Sequence, residues 1–419
     1  MVTTAALAFM LAGLSAAQTQ PNASKWGEIL YDRVKYGPEM ELQHLYYGQF
    51  PTGVAVSKEG RKFSNYPPGL DPMNTNNGMN GKFTIGELFP NNTERAWPSA
   101  EINNPPGGAI NYTTNPPTGA NYPNYFIGSQ SIIVDSKNFA WVLDTGRSLT
   151  PDGVLVNAVT GGPKLVKVDI PTGNVLQTIV FPSTVAYGDS YLNDVRIDYA
   201  HSPGYAYITD SSLEGRNGLI IADLSTGTSW RHLDGSPTVR PQAQNVEYLW
   251  GVPLYAFQPG GKPFTYVSFG SDGIALSADS ATLFWKSVGG RYMYSIPTAR
   301  LRDHTSADSE ILAQNSIATL GQTGITDGME TDTNNFIYHG NMEQNAIGLF
   351  NPANGSDSIF IRDQRLNWVD TMSVGFDGYL YFTCNQLVFG SMMYPGTDRR
   401  QKPYSLWRVK LPGNGTKTS

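Results

Sequence analysis

The chain has 419 residues and a formal net charge of −6; only 15% of its residues are charged, while 44 are glycine and 28 are proline. This composition favours many short strands joined by turns and argues against long helices or coiled coils. Because no basic patch stands out, nucleic acid is not an expected partner.

An apolar run over residues 5–14 is followed by Ser15-Ala16-Ala17. Small residues at this point are typical of a signal-peptide cleavage site, although no basic residue precedes the run. We therefore expect residues 1–17 to be a signal peptide, residues 18–39 to be a leading segment without periodicity, and the protein to be secreted. The alternative is a short N-terminal helix. The run is too short to cross a membrane, so membrane insertion is not expected.

Asparagine sequons support the expectation of export, because N-glycosylation is a modification of secreted proteins. The acceptor positions are Asn22, Asn91, Asn111, Asn354 and Asn414. We expect some of them to carry glycans. The single cysteine, Cys384, lies in an apolar strand and cannot form an intrachain disulfide, so we interpret it as a buried, unreactive thiol.

One hairpin pattern recurs along the chain: an apolar strand that starts with a polar residue, an acidic or polar turn, and a second apolar strand. The six copies begin at Thr52, Gln130, Asn193, Asp272, Asp327 and Asp370, and the first copy is the weakest. A single sheet of this kind cannot bury both faces, so repeated sheets close into a ring. The intervals accommodate blades of about 40–50 residues. The pattern predicts an all-β, six-bladed β-propeller.

Outer hairpins follow three of the copies, at residues 165–181, 218–233 and 346–362, each with a turn glycine or asparagine in place. Four strands per blade follow from this pattern. At the C-terminal end, Trp407, Val409 and Leu411 alternate with basic residues, which is typical of a half-buried strand. We expect this strand to close the ring by sharing a blade with an N-terminal strand near residues 40–47.

The propeller is predicted to span residues 40–411, with a tail at 412–419. Residues 64–125 interrupt the rhythm with proline pairs, asparagine and glycine. Because proline cannot donate a hydrogen bond to a strand ladder, we interpret this stretch as a long loop over the first two blades, with one strand near residues 83–89.

Motifs of the common hydrolases, zinc enzymes and nucleotide-binding proteins are missing, and the five histidines show no metal-ligand spacing. Chemistry is therefore expected from the repeat itself. In a propeller the inner strands line the central channel, so the first residues of the copies should meet at one mouth. Three carboxylates, two amides and one hydroxyl would then converge.

Carboxylates placed this close raise each other's pKa unless a cation lies between them. The mouth is therefore predicted to hold a divalent metal such as Ca²⁺, an amine ligand, or shared protons. The alternative is that these residues only cap strands, with each Asp-Gly pair serving the conformation of a turn.

Further polar residues follow the second strand of a copy, and we expect them toward the opposite mouth or between blades. Asp144 and Asp210 are interpreted as hydrogen-bond acceptors for turn amides. His339 and Glu343 are retained as secondary ligand-binding candidates.

Several motifs together resemble the yellow / major royal jelly protein family, over residues 40 to 411. They are Glu101–Gly108, Trp141–Gly146, Gly273–Ser277, Asn345–Ile347, Asp370–Val374 and Gly378–Leu387. The chain lacks the disulfide cysteines of insect members and is most similar to a microbial, fungal-type branch. The resemblance implies a secreted six-bladed propeller. It also implies dopachrome conversion, binding of small amines in the channel, or nutrient and structural roles, and the fold is shared with calcium-dependent lactonases.

We therefore expect a monomeric, secreted propeller that binds a small organic ligand at the channel mouth and acts as an isomerase or tautomerase. Asp272, Asp327 and Asp370 are the candidate catalytic residues. The candidate ligand-binding residues are Thr52, Gln130, Asn193, His339 and Glu343. One alternative is a calcium-dependent lactonase or hydrolase with Asn193, Asp272 and Asp327 as metal ligands. The other is a non-catalytic extracellular binding or structural protein.

Overall fold

The computed structural model describes residues 34–75, 82–249, 251–257 and 262–418. The predicted signal peptide, the leading segment up to residue 33 and the sequon at Asn22 lie outside these residues. In chain order the strands are β1 (Glu41–Tyr46), β2 (Ala55–Val56), β3 (Lys62–Asn65), β4 (Ile85–Leu88), β5 (Glu94–Ala96), β6 (Ile110–Asn111), β7 (Thr118–Gly119), β8 (Ser129–Val134), β9 (Phe139–Thr145), β10 (Pro163–Asp169), β11 (Val175–Val180), β12 (Leu192–Asp198), β13 (Tyr205–Asp210), β14 (Gly218–Asp223), β15 (Ser229–His232), β16 (Glu247–Leu249), β17 (Val252–Leu254), β18 (Ser271–Leu276), β19 (Thr282–Ser287), β20 (Tyr292–Pro297), β21 (Ala318–Gln322), β22 (Met329–Thr331), β23 (Ile337–Asn341), β24 (Ala346–Asn351), β25 (Ser356–Arg362), β26 (Val369–Val374), β27 (Tyr379–Cys384) and β28 (Tyr404–Lys410).

Six four-stranded antiparallel sheets form the blades of a β-propeller, which confirms the predicted fold. The sheets are β2-β3-β4-β5, β8-β9-β10-β11, β12-β13-β14-β15, β18-β19-β20-β21, β22-β23-β24-β25 and β26-β27-β28-β1. The short hairpins β6-β7 and β16-β17 lie outside the blades. Between β20 and β21 lie the helices α1 (Thr298–Arg302) and α2 (Ser309–Asn315), and 3-10 turns span Met342–Gln344, Leu387–Phe389 and Pro412–Asn414. No helix in the described part of the chain is long and apolar enough to cross a membrane.

The ring closes through β1, which pairs with β28 in the last blade, as expected from the alternation near the C-terminus. Leu42 lies opposite Trp407, and Tyr46 lies opposite Tyr404. The closing contact is therefore an antiparallel ladder between the two ends of the propeller, with one irregularity between Leu42 and His44, and it adds β1 as the outermost strand of the last blade.

The hydrophobic core consists of six clusters, one between each pair of neighbouring blades. The period of two along each strand explains this division, because successive side chains point to opposite faces. On β8, Ile132 packs toward the first blade and Ile133 toward the third. On β13, Tyr207 faces the fourth blade while Ala206 and Ile208 face the second. Each inner strand is thus buried on both faces.

The stretch 64–125 is not a single loop, which corrects the prediction. It supplies the end of β3 and the outer strands β4 and β5, so the first blade is complete, with the expected strand near residues 83–89 seen as β4. Its prolines flank these strands rather than interrupt them, which explains why a proline-rich stretch still forms ladders. Cys384 is buried and unpaired, as predicted, and burial raises the pKa of its thiol.

Candidate functional site

The first residues of five copies meet at one mouth of the channel, around a small cavity of about 20 Å³. This volume holds about one water-sized group. The predicted residues that line the cavity are Gln130, Asn193, Asp272, Asp327 and Asp370. Apolar walls complete the cavity and include Leu70, Phe269, Val288, Trp368 and Leu387. The three aspartates are between 5% and 7% exposed, so they form an acidic centre shielded from solvent.

The glycine after two of these aspartates is required by close packing. A Cβ atom on Gly273 would lie 2.3 Å from the carbonyl oxygen of Asp327, and one on Gly328 would lie 2.2 Å from the carbonyl oxygen of Asp370. Neither glycine adopts a positive φ. Glycine therefore follows these aspartates because neighbouring inner strands approach closely there, and not because a turn requires it.

An irregularity at the start of four inner strands positions the site residues. In each, the register with the second strand shifts where the site residue lies, a pattern typical of a β-bulge. The shifts fall between Ser129 and Ser131, Leu192 and Val195, Ser271 and Ile274, and Val369 and Met372. A bulge re-aims the local side chains, so these residues can face the cavity at the axis.

Asp272 and Asp327 form a hydrogen-bonded carboxyl pair. Nδ2 of Asn193 lies 2.5 Å from Oδ2 of Asp272, and Nε1 of Trp368 donates to Oδ2 of Asp327 at 2.7 Å. Burial and the charge of Asp327 raise the pKa of Asp272 well above its usual value. Burial also raises the pKa of Asp327, to about 6, but the bonds from Asp272 and Trp368 oppose that rise. Both carboxyls of the pair therefore retain a proton to higher pH than an exposed aspartate does, and the pair can share one proton.

Asp370 is the third acid of the cavity. Nδ2 of Asn385 donates to its Oδ2 at 2.6 Å, and the hydroxyl of Thr371 lies 3.3 Å from its Oδ1. Burial and the charge of Asp327 raise the pKa of Asp370 well above the usual value. All of these hydrogen-bond donors are neutral, so none of the described residues places a cationic group in hydrogen-bond contact with the three carboxyls.

Tyr191 was not identified from the sequence, yet it completes the amide side of the cavity. Its hydroxyl donates to Oε1 of Gln130 at 2.9 Å, and Nε2 of Gln130 reaches Oδ1 of Asn193 at 3.5 Å. Burial raises the pKa of the Tyr191 phenol, so it stays a neutral donor. No sequence signal marks Tyr191, because it precedes the copy that begins at Asn193 and belongs to no motif.

Three other predicted ligand-binding residues are not among those that line the cavity. Thr52 accepts a hydrogen bond from Asn65 at 2.6 Å and is held within the first blade. Nε2 of His339 pairs with Oδ1 of Asp357 at 2.8 Å, away from the axis. Glu343 binds the guanidinium of Arg291 at 2.9 Å. The copy at Thr52 was the weakest of the repeat, and its inner strand has only two residues.

Asp144 and Asp210 accept backbone amides, as predicted: Gly128 and Gly146 donate to Asp144 at 2.8 Å, and Tyr191 donates to Asp210 at 2.9 Å. They were expected toward the opposite mouth or between blades, and the first of these two placements is wrong. Antiparallel pairing brings the end of the second strand beside the start of the first, so Asp144 lies opposite Ser129. These carboxylates stabilise the backbone at the mouth where the first residues of the copies meet.

An ionic cluster follows the site residues along the same strands. Asp194 accepts hydrogen bonds from Ser131 and from Arg196, both at 2.9 Å, and Arg196 also faces Glu330 at 3.5 Å. Here the acidic charges are paired with a buried guanidinium. The mouth aspartates, by contrast, accept hydrogen bonds only from neutral donors among the described residues.

The mouth was also predicted to suit calcium. Within the described residues no group of three or more His, Cys, Asp or Glu side chains is arranged to hold a metal ion. Asn193 turns its Nδ2 toward Asp272 and Ser211, at 2.5 and 2.8 Å, which is the wrong atom for a metal ligand. We therefore assign no chemical role at this mouth to a metal.

The fold and the site define a six-bladed β-propeller with a buried acidic centre at one channel mouth. The family model for the major royal jelly protein matches residues 127–410. The chain therefore belongs to the major royal jelly protein family, and the matched region contains the second to fifth blades and three of the four strands of the sixth. No curated protein matches the chain.

Solved propellers are similar in fold at low identity. A luciferin-regenerating enzyme is 10% identical with a TM-score of 0.47, and the match covers 91% of this chain and 97% of that one. A gluconolactonase from Xanthomonas campestris is 11% identical with a TM-score of 0.48, covering 94% and 96%. A regucalcin, a calcium-binding protein from Agrobacterium tumefaciens, is 11% identical with a TM-score of 0.49, covering 92% and 96%.

Proposed function

We propose that this protein binds a small organic cation at the channel mouth and moves a proton within it, as an isomerase or tautomerase does. The observation that carries the proposal is the set of three buried aspartates around one cavity, with only neutral hydrogen-bond donors. Buried carboxylates without a protein cation favour a positively charged ligand, because such a ligand restores the missing Coulomb attraction.

The two carboxyls of the pair have distinct roles. Asp327 is the base, since the indole N–H of Trp368 stabilises its ionised form at 2.7 Å. Asp272 carries the proton and is the acid. Asp327 takes a proton from one atom of a conjugated ligand, and Asp272 delivers its proton to another atom of the same ligand. The proton then passes from Asp327 back to Asp272 and restores the starting state, so no oxidant or reductant is consumed.

Dopaminechrome, the analogue of dopachrome without the carboxylate that the buried aspartates would repel, is the substrate to test first, because its tautomerisation moves one proton and bleaches a visible absorbance. We expect the purified protein to accelerate the loss of colour, and Asp327→Asn to abolish this activity without lowering the melting temperature. Glu87→Gln, at an Arg61 ion pair of the first blade, is a charge-matched control. Unchanged turnover in Asp327→Asn would overturn the acid–base proposal.

The same preparation tests the metal-dependent alternative. Elemental analysis should show no stoichiometric divalent ion, and chelation should leave turnover intact. A bound calcium ion together with chelator-sensitive lactone hydrolysis would instead establish the hydrolase. If a ligand binds but no tautomerisable compound is turned over, the protein is a binding protein and not an enzyme of this type.

Export is proposed with this function, and the sequons allow a test. Asn91, Asn354 and Asn414 are exposed and Asn111 is partly exposed, so each is accessible to a glycosylating enzyme. On expression in a secreting eukaryotic host, we expect the protein in the medium with an N-terminus near residue 18. Peptide mass spectrometry after enzymatic deglycosylation should locate glycans at some of these positions. An intracellular, unmodified product would contradict export.

A further inference from the structure

The hairpin β16-β17, in the connection between the third and fourth blades, packs into a buried apolar cluster that also contains part of the mouth cavity wall. Leu249 is 6% exposed and Leu254 is 5% exposed, and both belong to a buried cluster that includes part of the cavity wall. The members shared by cluster and cavity are Val288, Trp368 and Leu387. The hairpin is therefore held on the mouth by apolar contacts.

Glu247 is the first residue of this hairpin, and its position is unusual for a carboxylate. It is 1% exposed, and neither of its carboxylate oxygens has a hydrogen-bond partner among the described residues. Burying a carboxyl group without a partner costs free energy, and natural proteins rarely leave one so. A cationic group supplied by a ligand would satisfy both oxygens.

The neighbouring charges do not satisfy Glu247. The guanidinium of Arg291 is bound by Glu343 at 2.9 Å and by Asn245 at 2.8 Å. Burial and the charges of Glu343 and Asp327 raise the pKa of Glu247 well above its usual value, and Arg291 only partly opposes them. The negative charge of Asp327 therefore contributes to the raised pKa of Glu247. Glu247 is thus a further buried acid, outside the aspartate trio, on a hairpin whose leucines share an apolar cluster with the mouth cavity wall.

We propose that Glu247 is a ligand-binding residue of the mouth site, and that the site takes a small organic dication. One ammonium lies among Asp272, Asp327 and Asp370, and the second cationic group lies against Glu247. This inference rests on the proposed function, since it concerns the same site. The cavity of about 20 Å³ fits a single ammonium head, so the rest of the ligand must displace apolar contacts under the hairpin. A monocation would leave Glu247 without a partner.

The test compares 1,4-diaminobutane with butylamine by titration calorimetry on the full-length protein at pH 7.5, where both amines are protonated. We expect the diamine to bind at least about tenfold more tightly, because it gains a second charge-assisted hydrogen bond. In Glu247→Gln this preference, measured as the ratio of the two affinities on the same variant, should fall to about the statistical factor of two. Glu87→Gln should keep the full preference. The melting temperature of each variant verifies folding.

Each outcome separates the inference from the proposed function. If butylamine binds but the diamine binds no more than about twofold better, the dication is wrong and the mouth site stands. If the diamine is preferred and Glu247→Gln keeps that preference, the second position is not Glu247. If neither amine binds, both the inference and the cation-binding part of the proposed function are overturned.

Discussion

Nε1 of Trp368, at the start of the sixth blade, lies 2.7 Å from Oδ2 of Asp327 in the fifth blade and donates a hydrogen bond to it. The bond stabilises the ionised carboxylate in a buried site, where a charge would otherwise be strongly disfavoured. This single contact across a blade boundary separates the base from the acid of the carboxyl pair.

Trp368→Phe should weaken the base and shift the pH profile. Without the N–H donor the pKa of Asp327, now about 6, should rise, so the acidic limb of the kcat/KM profile should move to higher pH. Turnover of the tautomerisable substrate at pH 6 should fall about tenfold, in keeping with the loss of a hydrogen bond to a charged group. An acidic limb that does not move would show that Asp327 is not the titrating base.

The contribution of the three mouth aspartates to protein stability should decrease as pH rises above about 4. In the unfolded chain the mouth aspartates lose their protons near their usual pKa of about 4, whereas the folded protein retains protons to higher pH. The native state then binds more protons than the unfolded state, so raising the pH favours unfolding until the folded-state pKa values are passed.

Asp370→Asn removes one of these buried titrating groups and tests that dependence. We expect its melting temperature to exceed that of the unmodified protein by roughly 1–3 °C at pH 8 and to equal it near pH 4. Differential scanning calorimetry across this range measures both. An equal or lower melting temperature at pH 8 would show that ionised Asp370 imposes no cost.

Gly273→Ala should destabilise the propeller, because its Cβ would lie 2.3 Å from the backbone oxygen of Asp327. Overpacking of this kind costs about 1–3 kcal/mol, and the neighbouring inner strands would have to separate. Gly48→Ala is the matched control, since a Cβ there meets no atom within 4 Å. Chemical denaturation of both variants measures the difference. Equal stabilities would mean that the inner strands separate without cost.

The closing ladder offers a graded test of ring closure. Leu406 on β28 is fully buried, whereas Leu42 on its partner β1 is 46% exposed. Leu406→Ala should lower the free energy of unfolding by about 2–5 kcal/mol, and Leu42→Ala should change it by less than about 0.5 kcal/mol. A similar loss in both variants would indicate that closure depends on the strand edges rather than on burial at the core.

The fold could be predicted from the sequence because its signals are local. Alternation along each strand, glycine turns and a recurring hairpin depend on residues that are near one another in the chain, so six blades were visible without coordinates. The polar residue that begins each copy also predicted the mouth, and five such residues line the cavity. The prediction of a long loop over residues 64–125 was wrong because the prolines lie beside β4 and β5 rather than within them.

The composition of the site was decided by tertiary structure. Trp368 reaches Asp327 from another blade, Tyr191 reaches Gln130 over 61 residues, and Glu247 lies on a hairpin outside the repeat. Such contacts leave no periodic signal, because they depend on how blades and connections pack. The sequence by itself determined that a ring of blades brings acids to one mouth. Only the packing around that mouth decided which acid keeps its proton, since burial and cross-blade donors set the pKa of each carboxyl.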